Sequence, residues 1–145
     1  MNWKEESENE LRDYGRKQLA LTNIPKFLDH IKYELCLIEK NVTNLEYCRN
    51  AKNMWDDLFI ESIVKKSELE RNLLLTKGRV DLVERGLNGV TADERKILRL
   101  FYIERPDDCV QKLCDEFSCK KSSIYNCKDI ALRKFTIAMY GADHL

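Results

Sequence analysis

The chain has 145 residues, enough for one or two small domains, and its 25 basic residues balance its 25 acidic ones. A balanced charge gives no whole-molecule attraction to nucleic acid or to a membrane surface. No apolar run approaches the ~18 residues of a membrane helix, and the start MNWKEESENE lacks the basic and apolar parts of a secretory signal. We therefore expect a cytoplasmic protein with no membrane contact, whose six cysteines stay reduced.

The composition favours an all-α fold, because only two prolines and five glycines interrupt a chain that is 34% charged. A first apolar repeat alternates spacings of four and three residues, as the a and d positions of a coiled coil do. It comprises Ile24, Leu28, Ile31, Leu35, Ile38, Val42 and Leu45. Pro25 suits only the first turn of a helix, so a break or kink near Thr22–Pro25 is predicted to separate this helix from an earlier one.

A second repeat of the same spacing runs from Trp55 to Leu87, although a competing stripe at Ile60, Ile63 and Val64 leaves its register uncertain. Two helices joined by a polar stretch near residues 46–54 predict a long antiparallel, coiled-coil-like hairpin; a compact helical bundle is the alternative. Residues 1–89 would form this first domain. An apolar face that the hairpin leaves uncovered would pack against a second copy, so we expect a homodimer through these N-terminal helices.

The second long helix is followed by residues that typically end one helix and begin another. Gly86 and Gly89 are expected to end it as left-handed caps. Directly afterwards, Thr91 and Glu94 form a capping box, in which the Thr91 hydroxyl accepts a hydrogen bond from the backbone N–H of Glu94. Residues 90–145 are therefore predicted to form a second domain of short helices.

Within this domain, Pro106 ends one helix, Asp108 begins a short one, and the turn Ser118-Cys119-Lys120 leads into a longer last helix. A short helix, a tight turn and a helix with a polar, basic start are typical of the helix-turn-helix motif. Residues 119–135 read CKKSSIYNCKDIALRKF and carry five basic side chains against one acid, a local charge of +4 on a neutral chain. The inner face of the last helix is predicted to comprise Ile124, Cys127, Ala131, Phe135 and Ala138.

The outward positions near the start of the last helix suit the edges of bases: Lys121, Ser122, Tyr125 and Asn126. Asn126 can bridge N6 and N7 of adenine, Lys121 can reach O6 and N7 of guanine, and Tyr125 can pack on a thymine methyl group. Phosphate contacts are expected from neighbouring basic residues, which are Lys120, Lys128 and Arg133. Each side chain alone could equally be solvated surface, but the set on one short element favours double-stranded DNA as the partner.

Residues 90–135 also resemble region four of bacterial sigma factors, and still more the C-terminal part of phage transcriptional regulators of the ArpU and RinA type. The matching positions are Thr91, Glu94, Arg95, Ile97 and Leu98, then Ser122 and Ser123, and finally Ala131 to Phe135. The resemblance implies base contacts at the same four residues, Lys121, Ser122, Tyr125 and Asn126. The chain departs from the family at Ser118, where glycine is usual, and at Lys120, where Ser or Thr caps the recognition helix.

The cysteines do not predict a metal site. Cys109, Cys114, Cys119 and Cys127 are separated by five, five and eight residues, whereas structural zinc sites use pairs such as C-x-x-C. In the resemblance, Cys119 and Cys127 fall at core positions, where a free cysteine acts as a small apolar side chain. We expect neither a metal nor another cofactor.

An enzyme is not expected either. The two histidines, His30 and His144, have no neighbouring nucleophile or carboxylate constellation, and no glycine-rich phosphate loop is present. The sequence therefore predicts a transcriptional regulator in the cytoplasm of a bacterial host, typical of a phage or prophage late-gene activator that works with host RNA polymerase. Two alternatives stay open: an adaptor that contacts polymerase without reading DNA, and a packaging protein that recognises phage DNA.

Overall fold

A computed structural model describes residues 2–44 and 49–141, with side chains described for residues 2–40 and 54–141. Every regular element in these ranges is helical, which confirms the all-α fold class. The helices are α1 (Trp3–Asn44), α2 (Arg49–Asn88), α3 (Ala92–Leu98), α4 (Cys109–Phe117) and α5 (Lys121–Tyr140). None of the helices so described is both long enough and apolar enough to cross a membrane.

Helix α1 continues through Pro25, so the predicted break near Thr22–Pro25 is wrong, while a kink there stays a prediction. A proline inside a helix removes one backbone hydrogen bond and crowds the preceding turn. Pro25 is exposed, and on the solvent side of a helix water can bond the carbonyl that the proline leaves without an N–H partner. The cost is therefore local, and the inward-facing apolar residues on both sides keep α1 helical.

The first apolar repeat faces inward. Its members Leu28, Ile31 and Ile38 are buried. Val42 and Leu45 lie outside the residues whose side chains are described. Residues 46–48 of the predicted polar connection lie outside the described residues, and residues 49–54 belong to α2. The part of the repeat that the structure describes thus supplies the packed face of α1.

The second repeat also faces inward, which decides the register that the sequence left uncertain. Val80, Val83 and Leu87 are buried, whereas the competing stripe is exposed, with Ile60 at 60% of its maximal accessible surface and Val64 at 50%. Polar Ser62 lies within the buried face. Helix α2 thus carries apolar side chains on two faces, and only one of them is covered.

The chain divides into two compact units, Leu19–Lys77 and Met1–Gln18 together with Gly78–Leu145. In the second of these, the start of α1 packs against α5: Ser7 and Thr136 are both buried, and their hydroxyl oxygens lie 2.8 Å apart. Tyr102 donates a hydrogen bond to Glu8 at 3.1 Å. The first residues of the chain thus belong to the packing of the last helix, while the division between residues 1–89 and 90–145 stays a prediction about independent folding.

The glycines at the end of α2 serve a different purpose from the one predicted. Gly86 lies inside the helix, and among the described glycines the left-handed conformation occurs at Gly141. A Cβ atom on Gly86 would lie 2.5 Å from the Phe135 ring, and one on Gly89 would lie 2.5 Å from Cβ of Ala138. The interpretation of Gly86 and Gly89 as left-handed caps is therefore wrong; they let α5 approach the backbone of α2.

Candidate nucleic-acid interface

Helices α4 and α5 are joined by a turn of three residues with a defined backbone. Ser118 is left-handed, with φ of 51°, and the N–H of Cys119 donates to the carbonyl of Cys114 at 3.2 Å. Left-handed residues commonly end helices in this way, and glycine adopts that conformation at the lowest cost. Ser118 thus forms, with some strain, a turn of the kind for which the resembling family uses glycine.

Lys120 occupies the N-cap of α5, with φ of −75° and ψ of 157°, and makes no side-chain capping hydrogen bond. The first N–H groups of any helix need acceptors from outside the helix. Together with the ammonium group of Lys120, they form a positively polarised end that suits an anion.

A small apolar core supports the turn. Ile97 of α3, Leu113 of α4 and Ile124 of α5 are buried against one another, and Phe101 and Phe117 pack on them. Farther along α5, Ala131 and Phe135 are buried as predicted. Because α5 is fixed along this face, its opposite face is held at a constant orientation.

Two cysteines do not occupy the core positions assigned to them. Cys119 and Cys127 are exposed. Cys119 lies in the turn, where its thiol contacts the carbonyl of Phe117 at 3.2 Å. Cys127 lines an open apolar groove of about 260 Å³ together with Ile97 of α3 and Phe117 of α4. Both cysteines thus lie outside the packed core, and the core assignment of both residues is wrong.

The four residues predicted to contact bases are all exposed: Lys121, Ser122, Tyr125 and Asn126. Helical spacing places Lys121 and Tyr125 in one row and Ser122 and Asn126 in the neighbouring row. The structure therefore brings the four together on the outer side of the first two turns of α5. Their contact with bases stays a prediction.

Lys128 is more enclosed than the other basic residues of this surface. Its side chain is 20% exposed, and Nζ lies 3.7 Å from the carboxylate of Asp129. Nζ also lies 5.4 Å from the centroid of the Phe101 ring and 5.5 Å from that of Tyr125. A cation at such distances from an aromatic face is attracted to it. Sequence spacing could not have shown that the Phe101 ring reaches this part of α5.

Arg133 lies farther along α5, on the same side as Ser122 and Asn126, and is exposed. It lines a cleft of about 350 Å³ together with Lys4 and Asp129. Lys4 comes from the start of α1, and its Nζ lies 3.9 Å from Asp129. No local sequence signal could have added Lys4 to the basic surface, because it lies more than a hundred residues away in the chain.

The capping box of α3 is present, and its Glu94 also contacts α5. The N–H of Glu94 donates to the Thr91 hydroxyl oxygen at 3.3 Å, and the hydroxyl donates to the Glu94 carboxylate at 2.9 Å. Lys134 lies 3.1 Å from the same carboxylate. Burial alone would raise the pKa of Glu94, but the hydrogen bonds from Lys134 and Thr91 outweigh it and hold the pKa below its usual value.

The described side chains hold no cluster of three or more His, Cys, Asp and Glu residues that could bind a metal ion. His30 is exposed, and its Nε2 lies 3.1 Å from Glu34, one helical turn away. His144 lies outside the described residues.

Comparison with known proteins gives one family relationship. A family model with the description "Protein of unknown function (DUF1492)" matches residues 47–136, which is more than half of the chain. The matched range includes α3, α4, the turn and most of α5. No curated protein and no solved structure matches the chain.

Proposed function

Because the chain belongs to the family described as protein of unknown function (DUF1492), its membership assigns no activity, and we propose from its own residues that it is a sequence-specific DNA-binding transcriptional regulator. In this proposal, α4 and α5 form a helix-turn-helix motif, and α5 is the recognition helix that enters the major groove. The chain acts as a regulator rather than as an enzyme.

One observation carries the proposal. A nine-residue helix and a three-residue turn precede α5, whose buried face rests on a small apolar core while Lys121, Ser122, Tyr125 and Asn126 share its exposed start. These side chains together offer a cation, a hydroxyl, an aromatic ring and an amide, which suit the donors, acceptors and methyl groups of the major groove. The resemblance to phage regulators and to sigma region four selects the same four residues.

Basic side chains at the edges of this surface support the proposal, because they suit phosphate groups. Lys120 at the helix N-cap, Lys128 and Arg133 supply the positive charge, and Lys4 extends it from α1. If one module neutralises about four phosphates, the logarithm of its binding constant falls with that of the salt concentration with a slope near −3.6. Such binding is weak and sensitive to salt, so two linked modules would be needed for regulatory affinity.

We propose that the two long helices form an antiparallel hairpin and that the chain is a homodimer through these N-terminal helices. The supporting observation is the second apolar face of α2, where large side chains are exposed. They are Ile60, Ile63, Val64, Leu74 and Leu75. A soluble monomer rarely exposes an apolar patch of more than a few hundred Å². Two modules joined in this way would read half-sites about 34 Å apart, or a multiple of that spacing.

In the cell, the proposed role is that of a phage or prophage late-gene activator that binds upstream of a promoter and assists host RNA polymerase. The resemblance carries this part of the proposal. The two alternatives are an adaptor that contacts polymerase without DNA readout and a packaging protein that recognises phage DNA.

The test is a selection of DNA duplexes by the full-length protein, followed by binding measurements with Lys121→Ala and Asn126→Ala. We expect the wild-type protein to enrich one sequence and each variant to lose about 1–3 kcal/mol of preference at one base pair, with folding intact. Asn23→Ala and Lys26→Ala, which remove the same side-chain types from exposed positions on α1, serve as controls.

An adaptor predicts that the wild-type protein enriches no sequence, and this result would refute the DNA-binding proposal. Selection from phage genomic fragments separates the other two roles. A late-gene activator recovers fragments that lie upstream of promoters, whereas a packaging protein recovers the site at which packaging begins.

A further inference from the structure

Three side chains from two elements form an aromatic and cationic cluster beside the proposed base-reading surface. The rings of Phe101 and Tyr125 have centroids 5.8 Å apart and an interplanar angle of 55°. Lys128 places its Nζ 5.4 Å from the first ring and 5.5 Å from the second. Tilted rings at this separation attract each other, and a cation shared by two rings draws both toward it.

The cluster is anchored on the side away from solvent. Phe101 belongs to a π-helical segment, Arg99–Glu104, and packs on the core of Ile97, Leu113 and Ile124. The Lys128 side chain is 20% exposed and is bound at its tip by Asp129. Tyr125 is 42% exposed, so one part of its ring rests on fixed neighbours while the other faces outward beside Ser122 and Asn126.

From this arrangement we propose that Phe101 and Lys128 are positioning residues that hold the Tyr125 ring for contact with the methyl group of a thymine. This inference rests on the proposed function. Neither residue needs to touch the base, because their contacts remove rotational freedom from Tyr125 before DNA binds.

The choice of thymine follows from the chemistry of the groove. The C5-methyl group of thymine is the apolar feature of base edges in the major groove, and the exposed part of an aromatic ring is apolar apart from its hydroxyl group. Fixing a side chain in advance saves the entropy of ordering it on binding, which amounts to roughly two- to tenfold in affinity for one side chain. The methyl contact itself is worth about three- to fourfold, the value of burying one such group.

The experiment replaces each thymine of the enriched duplex, one at a time, by deoxyuridine, which lacks the methyl group. For the wild-type full-length protein, we expect one replacement to weaken binding about three- to fourfold. The ratio of the two binding constants, thymine duplex over deoxyuridine duplex, should fall to one in Tyr125→Ala. Phe101→Leu and Lys128→Gln also reduce it toward one, although neither side chain contacts the base.

Matched controls separate positioning from general stability. Phe117→Leu replaces another half-buried ring that packs on the same core, and Lys112→Gln removes a lysine from α4. Both variants are expected to keep the wild-type ratio of thymine to deoxyuridine binding. Thermal unfolding by circular dichroism checks that each variant is folded. If Phe101→Leu does not fold, Lys128→Gln, which leaves the core intact, decides.

The inference is overturned if no deoxyuridine replacement weakens binding, or if Phe101→Leu and Lys128→Gln retain the thymine preference that Tyr125→Ala loses. In both cases the enriched duplex still establishes DNA binding, so the proposed function stands. Failure to enrich any duplex removes the proposed function and this inference together.

Discussion

Lys120 is the residue at which helix stability and phosphate binding make opposite demands. As the N-cap of α5 it makes no side-chain capping hydrogen bond, whereas serine at this position accepts one from the helix. We therefore expect Lys120→Ser to raise the free energy of unfolding by about 1 kcal/mol. If Lys120 contacts a phosphate, the same variant binds all sequences more weakly, and the salt slope loses about 0.9.

The measurements for Lys120→Ser are urea unfolding and DNA binding at several salt concentrations. Lys120→Ala is the matched control, because it removes the same charge without supplying a cap. We expect it to share the loss of salt slope but not the gain in stability. An unchanged slope in both variants would show that Lys120 does not contact the DNA backbone.

Glu94 links the stability of the C-terminal helices to pH. Its pKa in the folded chain lies below the ordinary value of 4.5, so it contributes stability above that pH and loses it as the pH falls through the folded-state pKa. Glu94→Gln keeps a capping-box side chain but removes the charge that faces Lys134. Because Lys134 is half exposed, we expect a loss of only about 0.5–1 kcal/mol at neutral pH.

The pH profile distinguishes this effect from a general loss of stability. The difference in unfolding free energy between wild type and Glu94→Gln should be constant near neutrality and shrink toward zero below about pH 4.5. Asp93→Asn removes the same charge from the same helical turn and controls for the helix dipole. A difference that persists unchanged at low pH would contradict the role of the ion pair.

At the scale of helices, two glycines of α2 should respond to alanine in opposite directions. A Cβ atom on Gly86 would lie 2.5 Å from the Phe135 ring and 2.7 Å from Met139, whereas one on Gly78 would meet nothing within 4 Å. Gly86→Ala should therefore destabilise the chain by about 1–3 kcal/mol through overpacking. Gly78→Ala should stabilise it by about 0.5–1 kcal/mol, since alanine favours the helix.

Thermal unfolding of the two variants tests whether α5 packs closely against α2. Both substitutions make the same chemical change in the same helix, so their helix propensities cancel in the comparison. Equal stability of Gly86→Ala and Gly78→Ala would mean that the Phe135 ring does not pack against the backbone of α2.

The elements that the sequence predicted well are those with local causes. The capping box at Thr91, the inward repeats of the two long helices and the outward set from Lys121 to Asn126 all follow from spacing along a single helix. Two of the failures involve contacts between distant segments. Pattern alone could not show that Cys127 lines an open groove or that Gly86 lies against Phe135, because these facts depend on where another helix passes.

Two positions shared with the resembling regulators also make contacts between segments, which the sequence pattern could not show. Arg95 donates to the carbonyls of Leu87 and Val90 at 3.0 and 3.5 Å, and Glu94 bonds Thr91 and Lys134. These side chains connect α3 to the end of α2 and to α5. Of the positions shared with the family, these two therefore help to hold α5 in place.

For the whole molecule, affinity for DNA should depend on a surface that includes none of the proposed base-contacting residues. The exposed face of α2 carries Ile60 and Leu74, which are 60% and 72% exposed. If this face joins two chains, replacing both residues with glutamine should convert a dimer into a monomer. With one module instead of two, the salt slope should halve from about −7 to about −3.6, and binding to the enriched duplex should weaken steeply.

Analytical ultracentrifugation and binding at several salt concentrations measure the two effects on the same samples. Ile137→Gln is the matched control, because Ile137 is an exposed apolar residue on α5, outside the 19–77 unit. It should remain dimeric and keep the steeper slope. A wild-type chain that sediments as a monomer, or a double variant that stays dimeric, would contradict dimerisation through α2. The substituted side chains lie on a helix that carries none of the proposed DNA contacts, so weaker binding together with a halved slope is the result expected from the loss of the second module.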